Sequence, residues 1–412
     1  MSEKFGLVLE GGGAKGAYEI GACEAIFEMG IEISAVAGTS VGALNGAMIA
    51  QHAIKEAHDL WYNISPSQIM NIDEGKLKQL ASLEIKPGDM SYFLKMFGEL
   101  ISEGGIDVSP LKRLIKKHVN EDKLRKSHID LGMVTVSFSD RKAIEVFVED
   151  IPYGQVADYL FASANFPLFR TAKIGDKIFL DGGIYDNLPI NMLLKKGFKS
   201  LITIQVGGLG RKRKVDLSNL NIINIESREN LGGPLNFDSE KTRKNLKLGY
   251  YDAYRVVKSL TGNLYYINLA GQEDSFVDYF KNLDLAIISK IAKVLNLKEN
   301  IPPKRLLFER VIPKLIDVLK LPADCKYQDI AIALAERIAL QVDVERFQIY
   351  SFQEFIEQII KNYKTGKTKA TKENNLISHF GFLSLFSSDN VLKKIVDELL
   401  NEKLMKSLHK MT

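Results

Sequence analysis

Gly38-Thr39-Ser40-Val41-Gly42, a G-x-S-x-G sequence, is entered from the apolar run Ile33-Ser34-Ala35-Val36-Ala37 and left through Ala43-Leu44-Asn45-Gly46-Ala47-Met48-Ile49-Ala50. The pattern predicts a strand, a sharp turn and a helix. So tight a turn strains the backbone of the serine, and its neighbours must lack bulk, which Gly38 and Gly42 supply. The Ser40 hydroxyl then stands in solvent at a helix N-terminus, where unpaired N–H groups favour developing negative charge. An acyl-transfer nucleophile would be put there. Small residues also crowd ordinary strand-to-helix turns, so the motif alone leaves both readings open.

Upstream, the apolar residues 5–9 run into Glu10-Gly11-Gly12-Gly13-Ala14-Lys15-Gly16, and residues 17–29 follow at helical spacing. Gly11, Gly13 and Gly16 satisfy G-x-G-x-x-G. A dinucleotide site also needs an acidic residue at the end of the second strand, and here that strand, residues 33–37, ends in the serine turn. Taken together, the two loops each follow a strand and precede a helix, so in a parallel sheet both open at one carboxyl edge. The glycine loop then faces Ser40, and the amides of Gly11, Gly12, Gly13 and Val41 are candidate oxyanion donors. Small residues on the following helices, Ala17, Gly21 and Ala22 on one and Gly42, Ala43, Gly46 and Ala47 on the other, allow the two helices and their loops to lie close together.

An acid and then a histidine would complete the usual triad order. Asp181-Gly182-Gly183 ends a strand expected over residues 177–180, presenting a carboxylate on a loop free to press against another; a turn aspartate bonded to its own backbone is the bland alternative, and Asp186 is read that way. The histidines after Asp181 are His379 and His409, both in a helical stretch, while His52 and His58 read as surface or satisfied residues. The remaining base for Ser40 is Asp181 itself, acting directly.

These residues resemble the patatin-like phospholipases, a family that uses a serine–aspartate dyad. Gly11-Gly12-Gly13-Ala14-Lys15-Gly16 looks like the family's oxyanion-hole sequence, with Lys15 where many members have arginine. Gly38-Thr39-Ser40-Val41-Gly42 resembles its nucleophile elbow, and Asp181-Gly182-Gly183, continued by Asn187 and Pro189, its aspartate motif. Ala162-Ser163-Ala164 before Phe166-Pro167 is similar to a further family segment. The resemblance implies a three-layer α/β/α fold with a mostly parallel central sheet. It also implies a lipid acyl hydrolase of phospholipase A or lysophospholipase type, with a lipid ester as substrate at a membrane surface and neither metal nor organic cofactor. A non-catalytic lipid-binding or regulatory protein on the same fold is the alternative.

Composition agrees with a two-part globular chain: 412 residues, 46% hydrophobic and 26% charged. A net charge of +4 is too mild to argue for nucleic acid. No apolar run approaches a membrane span, and the start reads as too short for a signal peptide, so a cytoplasmic protein, peripheral at the membrane, is expected. Cys23 and Cys325 fit no metal or redox spacing. The catalytic domain is expected over residues 1–270 and a helical accessory region over 271–412, with Pro302-Pro303 a break and residues 364–375 a polar linker; a dimer contact there is one reading of its role. Two alternating stretches, residues 130–138 and 143–148, predict a β-hairpin extending the sheet. Residues 63–106 read as a helical insertion, with a lipid-facing lid as the second reading, and the basic run 211–214 as a solvated loop rather than a head-group patch.

Overall fold

Strand β1 (Phe5–Leu9) is buried along its whole length, which explains why it reads as an unbroken apolar run instead of an alternating one. The structure, a computed structural model, describes residues 4–73, 75, 105–170, 172–269 and 275–365. The chain divides into two compact units, residues 1–257 and 258–412.

In the first unit, β1 leads through the glycine loop to α1 (Gly16–Glu28), and β2 (Ile33–Thr39) leads through Ser40 to α2 (Val41–Ala50). Helices α3 (Ile54–Tyr62), α4 (Pro66–Ile69), α5 (Ser109–His118) and α6 (Glu121–Lys126) precede the hairpin of β3 (Asp130–Ser137) and β4 (Lys142–Phe147). Then come α7 (Val156–Ser163), β5 (Ala172–Ile174), β6 (Lys177–Asp181), α8 (Ile190–Lys195), β7 (Ser200–Gln205), β8 (Asn221–Glu226) and α9 (Ser239–Val257). Eight strands form one sheet in the order β5-β6-β3-β2-β1-β7-β8, with β4 paired to β3. The central strands β3, β2, β1, β7 and β8 are parallel, while β4 and β6 run antiparallel to β3.

Alternation along the strands builds the layers. Val8, Ala35 and Ala37 cluster with Ile190, Met192 and Leu193 of α8 on one face, and Val36, pointing the other way, packs against Gly46 of α2. The architecture is therefore helices on both faces of a mostly parallel sheet. Helices α1 and α2 meet at their N-terminal ends, where Gly16 abuts Val41 and Asn45, while the small residues further along serve other partners. A Cβ on Gly21 would lie 1.9 Å from the Leu246 carbonyl oxygen and one on Gly249 the same distance from that of Tyr18, so α1 packs in backbone contact with α9. Gly46 meets Val36 and Leu131 of the sheet.

Within the second unit, β9 (Tyr266–Asn268) pairs in parallel with β10 (Ile349–Ser351). Around that pair lie α10 (Ser275–Lys281), α11 (Leu285–Val294), α12 (Pro303–Leu306), α13 (Ile312–Leu319), α14 (Tyr327–Gln341) and α15 (Phe352–Lys364), with a π-helical turn over Leu307–Val311. Its core gathers Tyr265, Phe276, Phe355 and Ile338. The division falls at residue 257 and not at the expected 270, and β9 takes its partner from residues 349–351, within the second unit. Most of the expected insertion at 63–106, most of the polar linker, and both His379 and His409 lie outside the described residues. No helix among the described residues is long and apolar enough to cross a membrane.

Candidate active site

Leu9, the last residue of β1, pairs with Gly38 of β2 and with Ile204 of β7, so the glycine loop and the serine turn leave the sheet side by side at one edge. At the turn Ser40 takes φ 55° and ψ −125°, a left-handed conformation that costs a serine of order 1–3 kcal/mol unless its surroundings enforce it. They do. A Cβ on Gly38 would sit 2.3 Å from the Gly42 carbonyl and one on Gly42 2.5 Å from the Leu9 oxygen, so only glycine permits the close approach of turn, helix and strand. The Ser40 N–H donates to Ser163 Oγ at 3.0 Å, and that hydroxyl donates in turn to the Val134 carbonyl at 2.7 Å. Ser163 thus ties the turn to β3. Ser163→Ala removes the acceptor from one backbone group and the donor from another, and is expected to lower stability by about 1–3 kcal/mol in a thermal melt.

How Asp181 reaches Ser40 follows from strand edges. Residues 132–134 of β3 pair with both β2 and β4, and residues 135–137 pair with both β4 and β6. A strand has two edges, so β2 and β6 must share the one opposite β4. Where β2 turns away after Thr39, paired to Val134, β6 takes over with Asp181 paired to Thr135. Two strands running toward each other therefore end at the same point. A Cβ on Gly182 would lie 2.2 Å from the Val134 carbonyl oxygen, so glycine is required there for the loop to fold back on β3.

Ser40 and Asp181 line the same cavity, with the Ser40 hydroxyl near enough to favour the ionised form of the Asp181 carboxyl. Asp181 Oδ1 also accepts the Gly183 N–H at 2.7 Å, and the residue is only 5% exposed. Burial pushes its carboxyl up to about 6, against the opposing pull of the Ser40 hydroxyl and the Gly183 N–H. No histidine among the described residues bonds to either: His58 is held by Glu24, His118 by Glu56, and His52 stacks on His128.

Of the four expected oxyanion donors, Gly11 is already engaged. Its N–H donates to the Asn187 carbonyl at 3.0 Å, while Asn187 Nδ2 donates back to the Gly11 carbonyl at 2.9 Å. The N–H groups of Gly12, Gly13 and Val41 have no acceptor among the described residues, and all three residues line the same cavity as Ser40 and Asp181. Gly13 takes φ 58°, and a Cβ there would lie 2.1 Å from the Pro234 carbonyl oxygen, which accepts the Ala14 N–H at 2.8 Å. Gly16 closes the loop against Asn45, whose amide donates to the Gly16 carbonyl at 2.9 Å.

Sequence reasoning passed over the residue that anchors this loop. Glu10, fully buried, accepts the N–H groups of Val206, Gly207 and Gly208 at 2.7, 3.0 and 3.1 Å, and pairs with Lys212 at 3.0 Å. An acid ending an apolar strand just before three glycines was the available signal. Lys15 joins the same clamp through Nζ to the Gly207 carbonyl at 2.7 Å, and burial lowers its pKa from the ordinary lysine value. The basic run has structural work as well. The Arg211 N–H donates to the Gly183 carbonyl at 2.8 Å, its carbonyl accepts from Asn187, and Arg213 pairs with Glu145 at 2.9 Å. Asp186 is fully buried and accepts the N–H of Leu188 at 3.4 Å, the local turn contact expected of it.

The cavity beyond these groups is walled by apolar side chains, including Leu44, Met48, Leu60, Trp61, Leu111 and Phe237. No lysine or arginine lines it among the described residues.

The chain is similar in sequence to known proteins. The family model described as Patatin-like phospholipase matches residues 7–194. Patatin-like phospholipase domain-containing protein 7 of Rattus norvegicus is 27% identical over 213 residues, 52% of this chain and 14% of that protein. Lysophospholipase NTE1 of Saccharomyces cerevisiae is 25% identical over 209 residues, 50% of this chain and 11% of that protein. The chain thus spans only a small part of the length of these relatives. Among solved structures, VipD from Legionella pneumophila aligns with a TM-score of 0.40 at 16% identity, covering 98% of this chain and 91% of that one. Residues 7–194 of this chain thus match the patatin-like phospholipase family model.

Proposed function

We propose that this chain is a lipid acyl hydrolase that cleaves carboxylic ester bonds, with Ser40 as nucleophile and Asp181 as the base that serves it. The observation that carries the reading is the convergence of the Ser40 hydroxyl and the buried Asp181 carboxylate in one apolar cavity, where the hydroxyl favours the ionised carboxylate. A carboxyl titrating near 6 is a better base than an exposed aspartate and is still ionised at neutral pH. Ser40 Oγ attacks the ester carbonyl as Asp181 takes its proton. The tetrahedral oxygen is met by the N–H groups of Gly12, Gly13 and Val41, each typically worth about a hundred- to a thousand-fold in rate. Collapse expels the alcohol, which leaves with the proton from Asp181. Water, deprotonated by the same carboxylate, then releases the fatty acid and restores Ser40.

The names of the relatives, phospholipases and lysophospholipases, support a phospholipid or lysophospholipid as the ester. We assign the substrate to a membrane surface, with the protein peripheral to it. A fluorophosphonate probe tests the reading: covalent labelling is expected in the wild type and none in Ser40→Ala. Equal absence of labelling in both proteins would favour the non-catalytic lipid binder.

A further inference from the structure

The cavity that holds Ser40 has one polar group that the chemistry leaves unused. His118, the last residue of α5, lines it beside Leu114 and Ile115. His118 Nδ1 lies 2.6 Å from Glu56 Oε1, on the outer side, for the Glu56 side chain is 50% exposed and that of His118 14%. The opposite edge of the ring carries Nε2, which is shut off from solvent and has no hydrogen-bond partner among the described residues. The backbone is pinned too, since Gln51 Nε2 donates to the His118 carbonyl at 2.7 Å.

Buried nitrogens are rarely left so. An unpaired polar atom withdrawn from water destabilises the fold, and its persistence in a ligand cavity points to a partner supplied by the ligand. Asn45, another polar residue of this wall, is not comparable, because its amide is fully engaged with Gly16, Glu19 and Trp61. Chemistry then selects the partner. An ionised carboxylate only accepts, so Nδ1 carries the proton toward Glu56, and in the neutral ring Nε2 is an acceptor that needs a donor. An anionic group would be a poor fit, because no lysine or arginine lines the cavity among the described residues to repay its desolvation. A hydroxyl fits.

We propose that His118 Nε2 is a hydroxyl-recognition point in the lipid cavity, accepting a hydrogen bond from a hydroxyl carried by the bound lipid. This rests on the reading of the cavity as a lipid site but not on hydrolysis. The hydroxyl has two sources, the free glycerol oxygen of a monoacyl lipid or an oxygenated acyl chain.

The chain's single tryptophan, Trp61, lines the same cavity, so its fluorescence reports occupancy without any turnover. The full chain is titrated with two pairs of ether lipids, which have no ester to cleave. One pair is a monoalkyl glycerophosphocholine and its deoxy analogue, and the other has or lacks a hydroxyl on the alkyl chain. In the wild type the hydroxylated member of one pair is expected to bind about tenfold tighter, the upper range for one net hydrogen bond, and the pair that responds identifies the source. In His118→Leu that ratio should fall below about twofold, and His118→Gln, which can present an acceptor near the place of Nε2, should restore part of it. The inference is overturned if neither pair differs by more than about twofold in the wild type, or if the preference survives in His118→Leu. Turnover of the ester counterparts is followed in parallel. An intact binding ratio without turnover sustains the role of His118 and removes the hydrolase reading instead.

Discussion

Asp181→Asn is expected to lower kcat/KM on a lipid ester by about 10⁴-fold, the loss typical when an acidic member of a serine catalytic system is made neutral, while making the protein more stable at neutral pH. The two effects share a cause. In the unfolded chain the carboxyl titrates near 3.9, whereas in the folded protein burial raises it to about 6. Between those values the native state holds the proton more tightly than the unfolded state, so stability falls as pH rises through that window. By pH 7 the ionised carboxylate costs the fold roughly 3 kcal/mol. Asparagine retains an oxygen for the Gly183 N–H and has no charge to bury. Its melting temperature should therefore exceed that of the wild type by several degrees at pH 8 and match it near pH 4. Wild-type kcat/KM should rise with pH to a plateau, half-maximal near 6. Retained turnover in Asp181→Asn would remove the proposed base, and a lower melting temperature at pH 8 would contradict the burial account.

Glu10→Ala is expected to be the most destabilising single change near the site, by about 3–5 kcal/mol in urea or thermal unfolding. Its carboxylate gathers three backbone N–H groups and the Lys212 ammonium at a fully buried position, and all of these lose their acceptor together. Glu10→Gln should do little better, because one end of the amide would turn its own N–H groups toward the backbone donors. Asn187, which holds both polar groups of Gly11, is also bonded to Glu10 at 3.4 Å, so loosening this clamp should reduce turnover through the glycine loop. A Glu10→Ala protein with an unchanged unfolding midpoint would show that residues 206–208 hold themselves in place.

Much of the site was legible along the chain. The turn at Ser40 and the loop at Gly12 and Gly13 are short-range features, set by which residues tolerate a strained backbone or close contact a few positions away. The aspartate was legible as a strand end followed by two glycines. Gly11 was not separable from its neighbours, because all three glycines look alike until Asn187, far along the chain, claims one of their amides. The same limit applies to the small residues of α1 and α2, whose composition announces close packing without naming the helix or strand that approaches.

By itself, then, the sequence determined the strand-turn-helix units and the hairpin, and it singled out the alcohol and the acid that the proposed chemistry uses. Tertiary structure alone decided that β2 and β6 divide one edge of β3 between them, which is what brings Ser40 and Asp181 to one cavity. It alone decided that Glu10, Asn187 and Ser163 hold the loops, and that His118 faces the cavity with a nitrogen to spare. The physical reason is range. Backbone strain and side-chain periodicity act over a few residues and are written locally, whereas strand-edge sharing and buried hydrogen bonds join residues that become neighbours only when the sheet closes.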